Sequence, residues 1–348
     1  MSFSAEVIAD SKSEIGGHRL TTVKATFPRY LLAEFNTHKM ISKNSASSRA
    51  IPAKKLIESV EKNPYIPEKW MRDHKGMQGS DYLNNGEEHK AKTFWLQSLY
   101  DAIGHSKLIN GLGVTKQTSN RLLEPFMYHT ALMSATEWEN FFALRAEGAA
   151  EINFQKSAFQ ILDVMNASTP KVLKPGEWHL PFTNLYTDIL MEVNHYWRNI
   201  NNISYNDPTF ISKEEADEII LKIVTAKCAG VSYVVVGEDG KEEPIEKLIE
   251  RHDKRLVAPG HWSPMEHPAK VMNEEEYFNF TKSFILYGKH FDWYMSITDP
   301  STFRHTYNSH TGAGAITEYG WCGNYRGFIQ YRKMFINENR TDSRLIKK

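Results

Sequence analysis

The stretch from Glu34 to Pro52 constrains the fold most, because an apolar lead-in at residues 30–33 is followed by a run with hardly a hydrophobic side chain. Its polar members are His38, Lys39, Ser42, Lys43, Asn44, Ser45, Ser47, Ser48 and Arg49. Short hydroxyl and amide side chains compete for backbone hydrogen bonds, so regular structure is disfavoured between Thr37 and Ser48. The cationic donors indicate a surface for a phosphate or an anionic ring, and a solvated surface loop is the alternative.

Apolar periodicity outside this loop indicates both strands and helices. The expected strands are 4–9 and 19–27, joined at Gly16-Gly17, with 127–134 and 232–236 later in the chain. The expected helices are 53–61, 87–109, 137–145 with Thr136 as N-cap, 149–166, 184–198, 213–230 and 242–256. Residues 70–86 and 169–183 are expected to be irregular. No repeat, low-complexity tract or linker is present, which predicts one domain over residues 1–348.

Composition excludes several classes of protein. The 348 residues are 41% hydrophobic, and Lys plus Arg equals Asp plus Glu at 42 each. A net charge of zero gives no global field that attracts nucleic acid or a membrane. The first residues resemble no signal peptide, and no apolar run approaches the roughly 18 residues of a membrane span. We therefore expect a soluble, cytoplasmic protein without a membrane or nucleic-acid partner.

Cysteine usage narrows the chemistry further. Cys228 and Cys322 form no Cys-x-x-Cys pair, and neither lies in a Pro-Cys-Gln tripeptide. That tripeptide would indicate a cysteine nucleophile, so we expect chemistry without a thiol adduct.

A second polar block spans residues 120–145. Arg121 precedes the expected strand, and Arg145 shares a helix face with Trp138, Phe141 and Phe142 at spacings of three and four. Such an arginine either pairs with a carboxylate or binds an anionic ligand, and spacing alone leaves both open.

A third block comprises residues 227–233 and 260–267. His261, Glu266 and His267 are metal-ligand types, but Pro264 breaks the segment and no His-Glu-x-x-His spacing occurs, so we expect no metal. Residues 319–333 alternate aromatic and basic side chains. They fit a strand packed on the core better than a nucleic-acid patch, given the zero net charge.

These three blocks together resemble the flavin-dependent thymidylate synthases. The pattern His38-Lys39-x-x-Ser42-x-Asn44-x-x-Ser47-x-Arg49 resembles the signature loop of that family, and Asn140-Phe141-x-x-Leu144-Arg145 resembles its second motif. Residues 227–233 and 260–267 resemble segments that precede the loop in shorter members, so the chain resembles a circularly permuted, long, often phage-encoded branch. Departures are Thr37 and Lys39 in place of arginines, and residues 149–154 in place of His-Ala-Gln-x-Glu-Ile.

The resemblance implies a fold and an activity. The fold would be α/β of the α+β kind, a central, mostly antiparallel sheet flanked by helices, with insertions at about 53–119 and 166–226. The activity would be reductive methylation of dUMP to dTMP, with FAD and NADPH as cofactors and 5,10-methylenetetrahydrofolate as co-substrate. The implied assembly is a homotetramer with active sites shared between subunits.

The resemblance also assigns roles to individual residues. Those implied for dUMP are Glu34, Ser45, Ser47, Ser48, Arg49, Arg121 and Arg145. Those implied for FAD are Thr37, His38, Lys39, Ser134, Thr136, Asn140, Ser232 and Ser263. The catalytic group would be Arg145, Ser47 and His261, with Ser47 favoured as a hydrogen-bonding group because no base stands beside it. Two alternatives stay open: transfer of a methyl or hydroxymethyl group to another pyrimidine nucleotide, and a non-catalytic nucleotide- or nucleic-acid-binding homologue.

Overall fold

A computed structural model describes residues 2–45, 47–75, 79, 81–183, 185–204, 206–231, 243–278, 280, 324–335 and 338. The strands of the larger sheet are β1 (Ser4–Ser13), β2 (Arg19–Pro28), β3 (Ser42–Ser45), β4 (Tyr128–Ala135) and β5 (Lys171–Leu173). Their spatial order is β3-β4-β2-β1-β5, and every pairing is antiparallel except that of β1 with β5. The expectation of an α+β fold around a mostly antiparallel sheet is confirmed for these residues.

The first hairpin has the turn that its glycines predict. Gly16 and Gly17 adopt φ values of +77° and +66°, a left-handed conformation that residues with a Cβ rarely adopt. β1 and β2 pair from Ser4↔Thr26 to Lys12↔Arg19, with a register shift between Val7 and Ala9. β2 is largely buried and forms the centre of the sheet.

The helices of the described residues include α1 (Leu32–Phe35), α2 (Ala53–Lys62), α3 (Asn85–Gly111), α4 (Lys116–Ser119), α5 (Glu139–Arg145), α6 (Ile152–Ala167), α7 (Tyr186–Ile200), α8 (Lys213–Gly230) and α9 (Ile245–Glu250). Capping boxes begin α3 and α8, in which Asn84 pairs with Glu87 and Ser212 with Glu215. α6 packs on β1 and β2, and α7 packs on α8.

A smaller antiparallel sheet has the order β6 (Trp178–His179), β7 (Ala269–Val271) and β8 (Phe328–Gln330). All three residues of β8 are buried. This confirms, for residues 328–330, the expectation of a strand packed on the core, but the expectation is wrong for residues 331–333, which belong to the 3₁₀-helix Tyr331–Met334. Residues 319–323 lie outside the described part of the chain.

The aromatic core that supports residues 34–52, which we call the signature loop because of the resemblance, lies between the larger sheet and α5 and α6. Phe27 stacks on Phe35 with ring centroids 4.1 Å apart, and Phe35 contacts Phe154 at 4.4 Å. Phe141 of α5 completes the group at 5.8 Å from Phe35. All four rings are buried, so the start of the loop is fixed against the core.

The expectation of irregular structure between Thr37 and Ser48 is wrong, because β3 forms inside it. β3 pairs with β4 from Ser42↔Ser134 to Ser45↔Ala131. β4 is almost entirely buried, so its backbone groups on that edge need hydrogen-bond partners. The buried polar side chains of Ser42 and Asn44 find partners in distant segments, which removes the penalty of burying them.

Other boundaries also differ from expectation. Thr136 does not cap α5, whose N-cap is Trp138 without a side-chain hydrogen bond, because Thr136 Oγ1 accepts from the backbone N–H of Arg326 at 3.0 Å. Residues 169–183 contain β5 and β6. The helix expected at 242–256 is α9 followed by a π-helical stretch, Arg251–Val257. The strand expected at 232–236 lies outside the described residues.

Candidate functional site

His38 and Arg145 join the signature loop to α5. Arg145 Nε donates a hydrogen bond to His38 Nε2 at 3.0 Å, which requires a lone pair on Nε2 and places the ring proton on Nδ1. His38 is buried edge-on against Phe141, and the Arg145 guanidinium carbon lies 4.6 Å from the centre of the Phe154 ring. The imidazole therefore orients the arginine, and the aromatic ring supports it.

Electrostatics keeps His38 neutral. Burial, then the charges of Arg145 and Lys43, lower the pKa of His38 to about 4. Lys43 donates to the carbonyls of His38 and Ile41, and burial, followed by repulsion from Lys39, lowers the pKa of Lys43 to about 8. A neutral His38 acts here as an acceptor that holds Arg145 without competing with it for an anion.

A pocket of about 770 Å³ opens beside Arg145. It is lined by Tyr30, Glu34, Pro67, Lys69, Trp70, Met71, His74, Gly79, Ala143, Leu144, Arg145, Glu147, Gly148, Ala149, Ala150, Glu151, Ile152 and Asn153. This volume and this mixture of apolar walls with a few polar groups are typical of small-molecule sites. The pocket thus gathers parts of the signature loop region, the second block and the 53–119 insertion.

Two carboxylates of this pocket, Glu34 and Glu151, have partners within the chain. Glu34 Oε2 lies 3.9 Å from Arg145 Nη1, a long ion pair that satisfies only in part the expectation of a carboxylate partner. Burial, then the charge of Glu151, raise the pKa of Glu34, while Arg145 lowers it. Glu151 caps α6 by accepting from the backbone N–H groups of Asn153 and Phe154, so it is committed to the fold.

Ser48 and Arg121 meet at Glu124, which lies in the 3₁₀-helix Asn120–Phe126. Ser48 Oγ donates to Glu124 Oε1, and Arg121 Nη1 lies 3.6 Å from the same oxygen. Arg29 Nη2 approaches it at 3.4 Å. Asn120 Nδ2 donates to the carbonyls of Ser48 and Ile51 at 2.7 and 2.9 Å. The end of the signature loop is thereby fixed beside Arg121, whose side chain is 54% exposed.

Asn44 joins the loop to the third block. Its Nδ2 donates to the Cys228 carbonyl at 2.8 Å, and Ser263 Oγ donates to its Oδ1 at 3.3 Å. Burial raises the pKa of the Cys228 thiol, so this cysteine is a poor nucleophile. Cys322 lies outside the described residues.

Ser134 belongs to a buried chain of hydrogen bonds across the sheet. Its hydroxyl contacts Thr22 Oγ1 at 2.6 Å and His267 Nδ1 at 2.7 Å. Thr22 Oγ1 lies 2.8 Å from His179 Nε2, and His179 Nδ1 lies 2.8 Å from Ser11 Oγ. Burial lowers the pKa of both histidines to about 3, so both are neutral. The structure therefore places Ser134 in the interior of the described chain, away from the pocket.

The remaining assigned residues lie mostly at the surface. Those that are exposed are Thr37, Lys39, Arg49, Asn140 and His261, and those that are partly buried are Ser45, Ser47, Thr136 and Ser263. Arg49 Nε approaches Ser47 Oγ at 3.5 Å. Ser232 lies outside the described residues. Lys39 and Asn140 are thus exposed hydrogen-bond donors at the surface.

Sequence reasoning missed Asn324, which holds β3 from the C-terminal part of the chain. Its Nδ2 donates to the Met40 carbonyl at 2.8 Å, and its Oδ1 accepts from Ser42 Oγ at 3.1 Å. Gln330 of β8 donates to the same Ser42 hydroxyl at 3.0 Å. A lone asparagine in Cys-Gly-Asn-Tyr carries no motif that could have identified it.

A membrane-spanning helix and a metal-binding cluster are both absent from the described residues. No helix there is both long and apolar enough to cross a bilayer. No cluster of three or more histidine, cysteine or acidic side chains there could bind a metal ion.

No family model and no curated protein matches this sequence. Among solved structures, the chain is similar to the UMP/dUMP methylase PolB from Streptomyces cacaoi bound with 5-Br UMP. That match has 12% identity and a TM-score of 0.40, and it covers 48% of this chain and 89% of that chain. The same methylase bound with 5-Br dUMP gives 13% identity and a TM-score of 0.40, with coverage of 48% and 90%.

Proposed function

We propose that the chain is a pyrimidine-nucleotide methyltransferase that converts dUMP to dTMP in the manner of the flavin-dependent thymidylate synthases. One observation carries the proposal: a single segment, residues 34–52, contacts both other motif blocks. The contacts are His38 with Arg145, Ser48 with Glu124 beside Arg121, and Asn44 with Ser263. Motifs that are far apart in the sequence and resemble one active site thus lie against one another.

Arg145 is the group that we propose for the pyrimidine ring. Its guanidinium lies in the pocket lining, oriented by His38, and it is the donor best placed to stabilise negative charge on a pyrimidine carbonyl. Glu34, 3.9 Å away, can accept from the ring N3–H. The pair matches the alternating acceptor and donor along the edge of uracil.

Arg49, Arg121 and Ser47 are proposed to bind the phosphate. Arg49 and Arg121 are exposed cations that flank the loop end, and guanidinium groups bind phosphate in a bidentate manner. Ser47 lies 3.5 Å from Arg49 Nε and would donate a hydrogen bond. Lys39, Asn140 and Ser263 are proposed to contact FAD, and His261 to lie near the folate.

Bound cofactors would supply the chemistry that no side chain can supply: FAD reduced by NADPH would provide hydride, and 5,10-methylenetetrahydrofolate would provide the one-carbon unit. The chain binds and orients the flat reactants, and Arg145 balances the charge that develops on the ring. A homotetramer with shared sites remains part of the proposal.

Release of tritium from [5-³H]dUMP tests the proposal directly. The parent protein, reconstituted with FAD, NADPH and methylenetetrahydrofolate, should release tritium and form dTMP, and Arg145→Ala should abolish release. A protein that binds flavin but releases no tritium from any pyrimidine nucleotide would refute the methyltransferase proposal. A colourless protein that cannot be reconstituted with FAD but binds dUMP would support the non-catalytic homologue instead.

A second substrate is favoured by Glu34. A carboxylate beside Arg145 can accept from the exocyclic amine of cytosine as well as from N3–H of uracil. The same assay with labelled dCMP and UMP, followed by mass analysis of the product, distinguishes these substrates and separates methyl from hydroxymethyl transfer.

A further inference from the structure

We propose that residues 67–71 of the 53–119 insertion form a wall of the nucleotide pocket within the same chain, and that Lys69 and Trp70 contact the bound nucleotide. The inference rests on the proposed function for the identity of the ligand. We call residues 67–71 the insertion wall. Pro67, Lys69, Trp70 and Met71 line the same pocket as Arg145.

The insertion wall is anchored on both sides. The backbone N–H of Leu83 donates to the Trp70 carbonyl at 2.9 Å, and Met71 forms an isolated bridge with Tyr82. The Trp70 ring packs edge-on against Trp95 of α3, with centroids 6.0 Å apart. These contacts fix the wall against the chain that carries it, so its position needs no second subunit.

Lys69 is a cation of the pocket that is available for an anion. Glu151 is committed to the α6 cap, and Glu147 accepts from the backbone N–H of Ala149 at 2.9 Å. Glu34 is paired with Arg145, at the long distance of 3.9 Å. Lys69 has no carboxylate partner among the described residues, and its Nζ lies 5.5 Å from the centre of the Tyr82 ring. Lys69 can therefore bind an anionic ligand beside Arg145.

Trp70 provides a second, independent observation. Its indole N–H is buried and has no hydrogen-bond acceptor among the described residues. A buried donor without a partner is unfavourable, and such donors are usually satisfied by water or a ligand. Trp70 also lines the pocket, so it adds an aromatic wall that suits a planar ligand such as a pyrimidine nucleotide.

Direct binding of dUMP tests the contacts. Lys69→Met should weaken binding about tenfold through loss of one charge-assisted contact, and the loss should shrink at high salt. Trp70→Phe should weaken it several-fold while keeping the packing on Trp95. The matched control is Lys92→Met, an exposed lysine of α3 outside the pocket lining, which should bind like the parent.

Subunit mixing tests the same-chain arrangement. Co-expressed Arg145→Ala and Lys69→Met chains should show no more tritium release than the better of the two variants alone, because a pocket built from one chain then carries one of the two defects in every subunit and no pocket is intact. Recovery above that level would show that the residues serve a pocket from different subunits, and would overturn the inference. Unchanged dUMP affinity in both wall variants would also overturn it and leave the proposed function intact. A parent protein that binds neither dUMP, UMP nor dCMP would overturn both.

Discussion

Replacement of Asn120 by alanine should loosen the end of the signature loop. Asn120 is fully buried, and its Nδ2 donates to the carbonyls of Ser48 and Ile51. No other described side chain is seen to donate to these two carbonyls. Alanine removes both hydrogen bonds and leaves two buried acceptors without a donor.

The size of the effect follows from these contacts. Each hydrogen bond contributes about 1 kcal/mol net, and stranded buried acceptors add about 1–3 kcal/mol. Asn120 Oδ1 itself is buried without a partner among the described residues, so its removal offsets roughly 1 kcal/mol. The free energy of unfolding should therefore fall by about 2–4 kcal/mol. With an unfolding entropy near 2.1 cal/mol/K per residue, 348 residues give about 0.7 kcal/mol/K, so Tm should fall by about 3–6 °C.

Differential scanning calorimetry measures the change, and Asn201→Ala is the matched control. Asn201 also donates from Nδ2 to a backbone carbonyl, that of Trp197 at 2.8 Å, but it is exposed at the end of α7. Water replaces that bond, so its Tm should change by less than about 1 °C. Equal Tm shifts in the two variants would refute the claim that Asn120 fixes the loop. Affinity for dUMP should fall in Asn120→Ala and stay unchanged in Asn201→Ala.

Two further outcomes are expected. Arg145→Gln should raise the pKa of His38 above its value of about 4, because a nearby positive charge is removed; NMR titration of the imidazole measures this. In the parent protein the pKa of folded His38 lies below the value of 6.5 for the unfolded chain, so unfolding takes up a proton between these two pH values. As far as His38 is concerned, the folded state has its full stability above pH 6.5 and loses stability as the pH falls towards 4. Asn324→Ala should lower both Tm and flavin affinity, measured by calorimetry and flavin absorbance, because β3 loses its bonds at Met40 and Ser42; an unchanged flavin affinity would limit Asn324 to a structural role.

Local sequence patterns were sufficient to predict the helices and strands whose apolar residues form one regular buried face. The hairpin of β1 and β2, the strand β4, and the helices α3 and α8 agree with expectation to within a few residues, except that β1 extends to Ser13. Each has its own periodic apolar residues, and α3 and α8 also have a capping box. These elements alone predicted a fold that contains both strands and helices, and the resemblance implied the α+β arrangement.

Tertiary contacts decided where local pattern failed. β3 is polar throughout, and nothing within the loop favours a strand. It forms because the edge of β4 needs partners and because Asn324, Gln330 and Cys228 satisfy its buried side chains. These partners lie far away in the sequence, so single-sequence reasoning could not supply them.

The candidate site was predictable only in part for the same reason. The contact of His38 with Arg145 was not expected from spacing, although both residues had been singled out by resemblance. The insertion wall was missed altogether, because the glycines and asparagines of residues 70–86 indicate irregular structure and the apolar residues among them have no regular spacing. Trp70 could have been noticed as a large aromatic residue in a segment with no apolar period of its own.

The polar character of the signature loop and its order are therefore not in conflict. Donor-rich side chains are costly to bury unless each finds a partner, and here the partners come from α5, the 120–126 helix, α8 and the C-terminal residues 324–330. The order of the loop therefore depends on contacts with these segments. If Arg49 and Arg145 bind the proposed nucleotide, damage to a remote partner such as Asn324 should reach the site as a loss of orientation rather than a loss of charge.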